Sequence, residues 1–214
     1  AVANKYTKQY KDFNDFCKSI QTPDELKDWY WVNKVRWYTK KESIKKANKG
    51  INSTIPTDST PITWPNELIK THIGICYDHA IFMHMLCETA NIKSTILFIV
   101  STFKSRNDKY SFVGHAVSVF DIKDRGVFIF NYQLGNGSML GPFASFDDAK
   151  IHYTKIYSKA ITTMMNNVDS DQKYINTYSS LQETNLDIYS KFNNDNECLQ
   201  IDIIRRVPEL NTFF

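Results

Sequence analysis

The chain has 214 residues, of which 42% are hydrophobic and 23% charged, a balance that excludes disorder of the whole chain and suffices for one domain with a real core. Lys and Arg outnumber Asp and Glu by only three, with the two signs interspersed, so no basic surface argues for a nucleic-acid partner. The longest nearly uncharged apolar run, Ser94 to Ser101, falls far short of the roughly 20 residues of a membrane span, and no transmembrane helix is expected.

From Asn4 to about Lys46 the pattern predicts two amphipathic helices. The first runs through KYTKQYKDFNDFCKSI. The second starts at Thr22, which suits the N-cap, with Pro23 at the first helical position and Glu25 among the first-turn carboxylates. Gly50 to Pro65 holds three prolines and many hydroxyl residues and reads as a connector. Six of the seven glycines lie between 74 and 141, which marks the middle third as the region of tight turns and close backbone approach. A helix is expected there from about Ile75 to Ala90, followed by strands near Ser94 to Ser101, Ser111 to Asp121 and Gly126 to Tyr132 as an antiparallel meander. LGNGSMLGP reads as a glycine-rich loop, and Ser145 with Asp148 makes a capping box that opens another helix. The polar stretch Asn166 to Asn196 carries no assigned element, and CLQIDIIRRV near the end resembles one more strand.

The four cysteines, Cys17, Cys76, Cys87 and Cys198, form no CxxC pair and read as free thiols. Cys76 stands apart because it opens a helix after Gly74-Ile75. A thiol there faces unpaired N–H groups and the positive end of the helix dipole, which lowers its pKa and favours the thiolate. Cys87, further along the same apolar stripe, suits packing, and Cys17 and Cys198 have no motif beside them. Asp78 reads as a first-turn carboxylate that caps backbone donors. His79 and His84 share a broad face with Cys76 and Cys87, but a rise of about 1.5 Å per residue parts the two sulfurs by roughly 16 Å, so no metal site is expected. Gly135, Gly137 and Gly141 lack the spacing of a phosphate loop, and no acidic loop suits Ca²⁺, so no cofactor is expected. Asn52-Ser53-Thr54 and Asn136-Gly137-Ser138 match the glycosylation acceptor pattern, which arises readily by chance in an Asn-rich chain.

His115 lies inside the second strand of the meander and Asn131 at the end of the third. A five-residue loop from Asp121 to Arg125, closed by Phe120 opposite Gly126, would make them direct cross-strand neighbours. Asn131 would then orient the imidazole, and His115 would take the proton of Cys76.

Trp64-Pro65-Asn66-Glu67-Leu68, Lys70, Gly74-Ile75-Cys76-Tyr77-Asp78-His79-Ala80, Cys87-Glu88 and Ala90-Asn91-Ile92 together resemble the nucleophile segment of the transglutaminase-like superfamily of papain-like cysteine enzymes. That family's pattern is a Gly-x-Cys-x-Asp-x-Ala helix followed by strands bearing His and then Asp. Cys76 matches its nucleophile, His115 its general base and Asn131 its third member. The last is a departure, since most of the family have Asp there, while papain-like proteases use Asn. The resemblance spans about Trp64 to Phe146.

It implies an α+β papain-like core in which the nucleophile helix packs on an antiparallel sheet. Residues 1–50 are expected as helices packed on that core, and 51–214 as the catalytic core with a C-terminal extension. The implied activity is thiol-dependent acyl transfer on an amide of a protein or peptide substrate, of peptidase, amidase, deamidase or transglutaminase type. Trp64, just upstream of the nucleophile, is a candidate wall of the acyl pocket. The alternative is a binding or scaffolding module that keeps the fold without turnover.

Overall fold

The computed structural model describes residues 2–37, 63–132, 138–168 and 171–182. Three helices come first: α1 (Val2–Thr7), α2 (Phe13–Ser19) and α3 (Pro23–Val32). The first expected helix is thus two, broken where the Asp12 carboxylate accepts the Asp15 N–H at 2.8 Å and caps α2. At α3 the start signal works as a full capping box: the Glu25 N–H donates to the Thr22 hydroxyl at 3.2 Å, and the Glu25 carboxylate accepts the Thr22 N–H at 3.3 Å. α3 stops at Val32, just before Lys34 takes a left-handed φ of 49°, and a short strand β1 (Arg36–Trp37) follows. The rest of the second expected helix, most of the connector, both glycosylation patterns' asparagines and the strand expected at CLQIDIIRRV lie outside the described residues. Pro65 does not end the connector as a breaker. It opens α4 (Pro65–Thr71), because at the first helical position a proline loses no hydrogen bond.

β2 (Ile73–Gly74) pairs with β1 in parallel and leads into α5 (Cys76–Thr89), which lies within the expected bounds. Nearly every α5 side chain is buried, so this helix has no solvent face to speak of. Phe82 is its hub: Phe13 and Phe16 meet it edge-on at 5.2 and 5.3 Å, Trp29 stacks at 5.8 Å, and Tyr30 closes in at 6.1 Å. The N-terminal helices therefore share one apolar cluster with the helix that carries Cys76.

The sheet has five strands where the sequence suggests a three-strand meander. β3 (Ser94–Ser105), β4 (Tyr110–Ile122), β5 (Gly126–Asn131), β6 (Ser138–Phe143) and β7 (Gln172–Gln182) lie in the order β6-β5-β4-β3-β7, every pair antiparallel. β6 arises within the glycine-rich stretch and β7 within the polar one. Both are edge strands, where one ladder suffices and little apolar sequence is needed, so hydrophobic pattern does not reveal them. Between β6 and β7 runs α6 (Phe146–Val168), begun as expected by Ser145, whose hydroxyl oxygen accepts the Asp148 N–H at 3.0 Å.

Alternation along the strands gives the sheet two apolar faces. Phe98, Val100, Ala116, Phe120, Phe128 and Phe130 join the cluster of α5 and the N-terminal helices. Leu97, Ile99, Val117, Val119, Val127 and Ile129 pack under Ala149, Tyr153, Tyr157 and Ile161 of α6. The chain is thus α+β, with a five-stranded antiparallel sheet between α5 on one side and α6 on the other. Among the described residues no helix is long and apolar enough to cross a membrane.

Phe82→Ala should cost about 3–5 kcal/mol, because it removes the ring on which four aromatic side chains of the N-terminal helices converge. The check is the urea unfolding midpoint at unchanged slope. A loss below about 1 kcal/mol would mean that those helices do not depend on α5.

Candidate active site

Ile75 is extended, with φ −111° and ψ −178°, so the helix proper begins at Cys76. The start is fixed by Asp78, fully buried, whose two carboxylate oxygens accept the Ile75 and Thr63 N–H groups, each at 2.8 Å. One carboxylate so caps α5 and ties it to the chain that enters α4, which is the capping role its first-turn position suggests. Gly74 is required by the same packing: a Cβ there would stand 2.9 Å from the Asp78 Cβ.

Cys76 is 8% exposed and points toward β4, where the backbone N–H of Ala116 is directed at its sulfur, as are the N–H groups of Tyr77 and Cys76 itself. The β4–β5 ladder makes room for it. That ladder ends at Ser118 opposite Phe130, and beyond it β5 diverges, the Tyr132 carbonyl accepting the Trp37 indole N–H at 2.9 Å. The thiol thus sits at a split in the sheet, against the residue next to His115.

His115 and Asn131 are partners, though not as direct neighbours. Ile122, not Phe120, faces Gly126, so the turn is the three residues Lys123, Asp124 and Arg125 rather than five. Left-handed backbone at Asp124 (φ 62°) and Gly126 (φ 100°) closes it, with the Arg125 N–H on the Ile122 carbonyl at 2.9 Å. The register shifts by two residues, which keeps both side chains on one face and makes them a diagonal pair. The imidazole still bridges the offset, its Nε2 lying 3.0 Å from the Asn131 Oδ1. A carbonyl oxygen only accepts, so Nε2 carries the proton and Nδ1 keeps its lone pair.

Electrostatics run against the sequence expectation of a thiolate. Burial pushes the Cys76 thiol up to about 12, with Asp78 adding to the rise, and this outweighs the three N–H groups that favour the anion. His115, 2% exposed, is pulled down to about 4 by burial, which the Asn131 hydrogen bond only partly opposes. The resting pair is a neutral thiol and a neutral imidazole. Cys17 is likewise pushed up to about 12 by burial, and Cys87 rises for the same reason.

Two residues that sequence inspection passes over complete the surroundings. Tyr157 of α6 stacks on the His115 ring at 5.4 Å between centroids with planes 4° apart, and Tyr153 lies 6.3 Å away. Their signal is a buried stripe at four-residue steps, Ala149, Tyr153, Tyr157 and Ile161, but nothing in it says which strand face it covers. Trp64, at the N-cap of α4, is half-buried against the cluster that includes Cys76. His79 and His84 serve packing: the His79 Nδ1 is 3.0 Å from the Tyr30 hydroxyl, and the His84 Nδ1 is 2.6 Å from the Ser94 hydroxyl. Among the described residues no three His, Cys, Asp or Glu side chains gather as a metal site would require.

A family model described as a transglutaminase-like domain matches residues 5–159. The chain belongs to the transglutaminase-like domain family. The match takes in more than the segment from Trp64 to Phe146, reaching from α1 into α6 and including Tyr153 and Tyr157. Comparison with curated proteins and with solved structures finds no match.

Burial also sets how acid acts on this transglutaminase-like domain. His115 and His84 are held near 4 and His79 near 3, against about 6.5 in an unfolded chain. Folded values below unfolded ones mean that the unfolded chain takes up protons first as pH falls. The stability that depends on these neutral rings is therefore full above about 6.5 and lost between 6.5 and about 3. Urea midpoints across that window should fall with a slope near pH 5 of about two to three protons, and His115→Gln should reduce it by about one. A flat profile would contradict the burial of these rings.

Proposed function

We propose that this domain is a thiol-dependent acyl-transfer enzyme acting on an amide of a protein or peptide, with Cys76 as nucleophile, His115 as general base and Asn131 as the residue that orients it. The observation that supports this most is the His115 Nε2 to Asn131 Oδ1 contact at 3.0 Å, because it leaves Nδ1 as the one ring nitrogen able to accept a proton. As the sulfur bonds to the carbonyl carbon, its proton passes to His115 Nδ1. The imidazolium then protonates the departing amine, leaving a thioester. Water as the second nucleophile gives hydrolysis or deamidation, and an amine gives cross-linking. Asn131 carries no charge to stabilise the imidazolium, and burial disfavours thiolate, so proton transfer accompanies attack instead of preceding it. The backbone N–H of Cys76, at the start of α5, is one donor for the developing oxyanion. Trp64 is the candidate wall of the acyl pocket. The chemistry needs no metal or cofactor.

A small activated ester, p-nitrophenyl acetate, tests the chemistry before a natural substrate is known. Cys76→Ala and His115→Ala should each abolish the burst of p-nitrophenolate, while Asn131→Ala should keep a partial rate, because an orienting residue contributes less than a nucleophile or base. A full burst in His115→Ala would refute the relay. Acylation mapping to Cys17, Cys87 or Cys198 would refute the nucleophile.

The pH profile tests Asn131 separately. The wild-type acylation rate should rise through about pH 4, as His115 loses its proton, and then level off. In Asn131→Asp a carboxylate faces the imidazole, favours its protonated form and should move this limb to higher pH. Superimposable profiles would mean that Asn131 does not act on His115.

A further inference from the structure

The enzyme reading leaves one donor short: beside the Cys76 N–H, an oxyanion forming at the thiol needs a second hydrogen bond. We propose that the paired phenol hydroxyls of Tyr153 and Tyr157 supply it. This rests on the proposed acyl-transfer activity.

The two tyrosines stand four residues apart on α6 and therefore on one face, the face that lies over His115. Their rings are 2% and 4% exposed, and that of Tyr157 lies flat on the imidazole. Among the described residues neither hydroxyl makes a hydrogen bond, although other hydroxyls of the same helix do: Thr154 bonds the Lys150 carbonyl and the Ser179 hydroxyl, and Ser158 bonds Tyr174. The Cys76 sulfur reinforces the rise that burial imposes on both phenol pKa values, so both hydroxyls lie within its electrostatic reach and both keep their protons. Two protonated donors without acceptors among the described residues, on the face over His115, suit an oxygen that becomes negative only during reaction. During that reaction the phenols donate hydrogen bonds and transfer no proton.

With p-nitrophenyl acetate the sulfur bonds to the carbonyl carbon, the π pair moves onto oxygen, and the thiol proton goes to His115 Nδ1. When the pair returns, the bond to the aryl oxygen breaks and p-nitrophenolate leaves. Iodoacetamide alkylates the same sulfur by displacing iodide and develops no oxyanion. The comparison therefore isolates the donor. Tyr153→Phe and Tyr157→Phe keep the ring and its packing and break no hydrogen bond within the described residues. The double variant should lose about a hundredfold in Cys76 acylation while its iodoacetamide rate changes less than about twofold, and each single variant should show part of that loss. Wild-type acylation in the double variant would overturn the proposal, as would a parallel fall in both reactions, which would make the tyrosines a packing wall. Absence of Cys76 acylation in the wild-type protein is a different result: it would remove the enzyme reading itself, and this proposal with it.

Discussion

The arrangement around Cys76 depends on a single break in the β ladder. β4 and β5 pair from Ile122 and Gly126 as far as Ser118 and Phe130 and then part, and the first turn of α5 occupies the opening. An unpaired strand N–H inside a protein is costly unless something accepts it. At Ala116, past the end of that ladder, the backbone N–H favours the anion of the Cys76 sulfur. The sheet and α5 thus meet at this opening, and the thiol is brought to the strand that carries His115, although His115 itself points to the face under α6.

That location decides which electrostatic effect wins. At an exposed helix start, N–H groups and the dipole would draw a thiol toward its anion. Here the same groups are present, but desolvation acts on a buried sulfur, and the neutral form prevails. The imidazole obeys the same balance, since a neutral amide partner cannot offset the cost of burying a charge. A carboxylate in place of Asn131 would act on the imidazole in the same direction as the amide, and more strongly.

Support for the site comes from well outside it. Asp78 holds the beginning of α5 through the Ile75 and Thr63 N–H groups, while Phe82, two turns along the helix, is clamped by aromatic rings from α2 and α3. The family match, which begins at residue 5, includes these helices, in keeping with their sharing the apolar cluster of α5.

Much of this was written locally. The caps at Thr22 and Ser145, the span of α5 and the three central strands follow from hydroxyl and carboxylate spacing and from apolar periodicity, all short-range properties of neighbouring residues. The motif around Cys76 likewise pointed to the transglutaminase-like family from the sequence alone. The tertiary structure decided what depends on partners distant in the chain. Edge strands β6 and β7 exist because β5 and β3 offer them a ladder. The hairpin register turned on left-handed backbone at Asp124, and Tyr153 and Tyr157 reached His115 only because α6 crosses that face of the sheet. Even the direction of the Cys76 pKa lay beyond linear spacing, because desolvation is set by everything that surrounds an atom and not by the residues beside it in the chain.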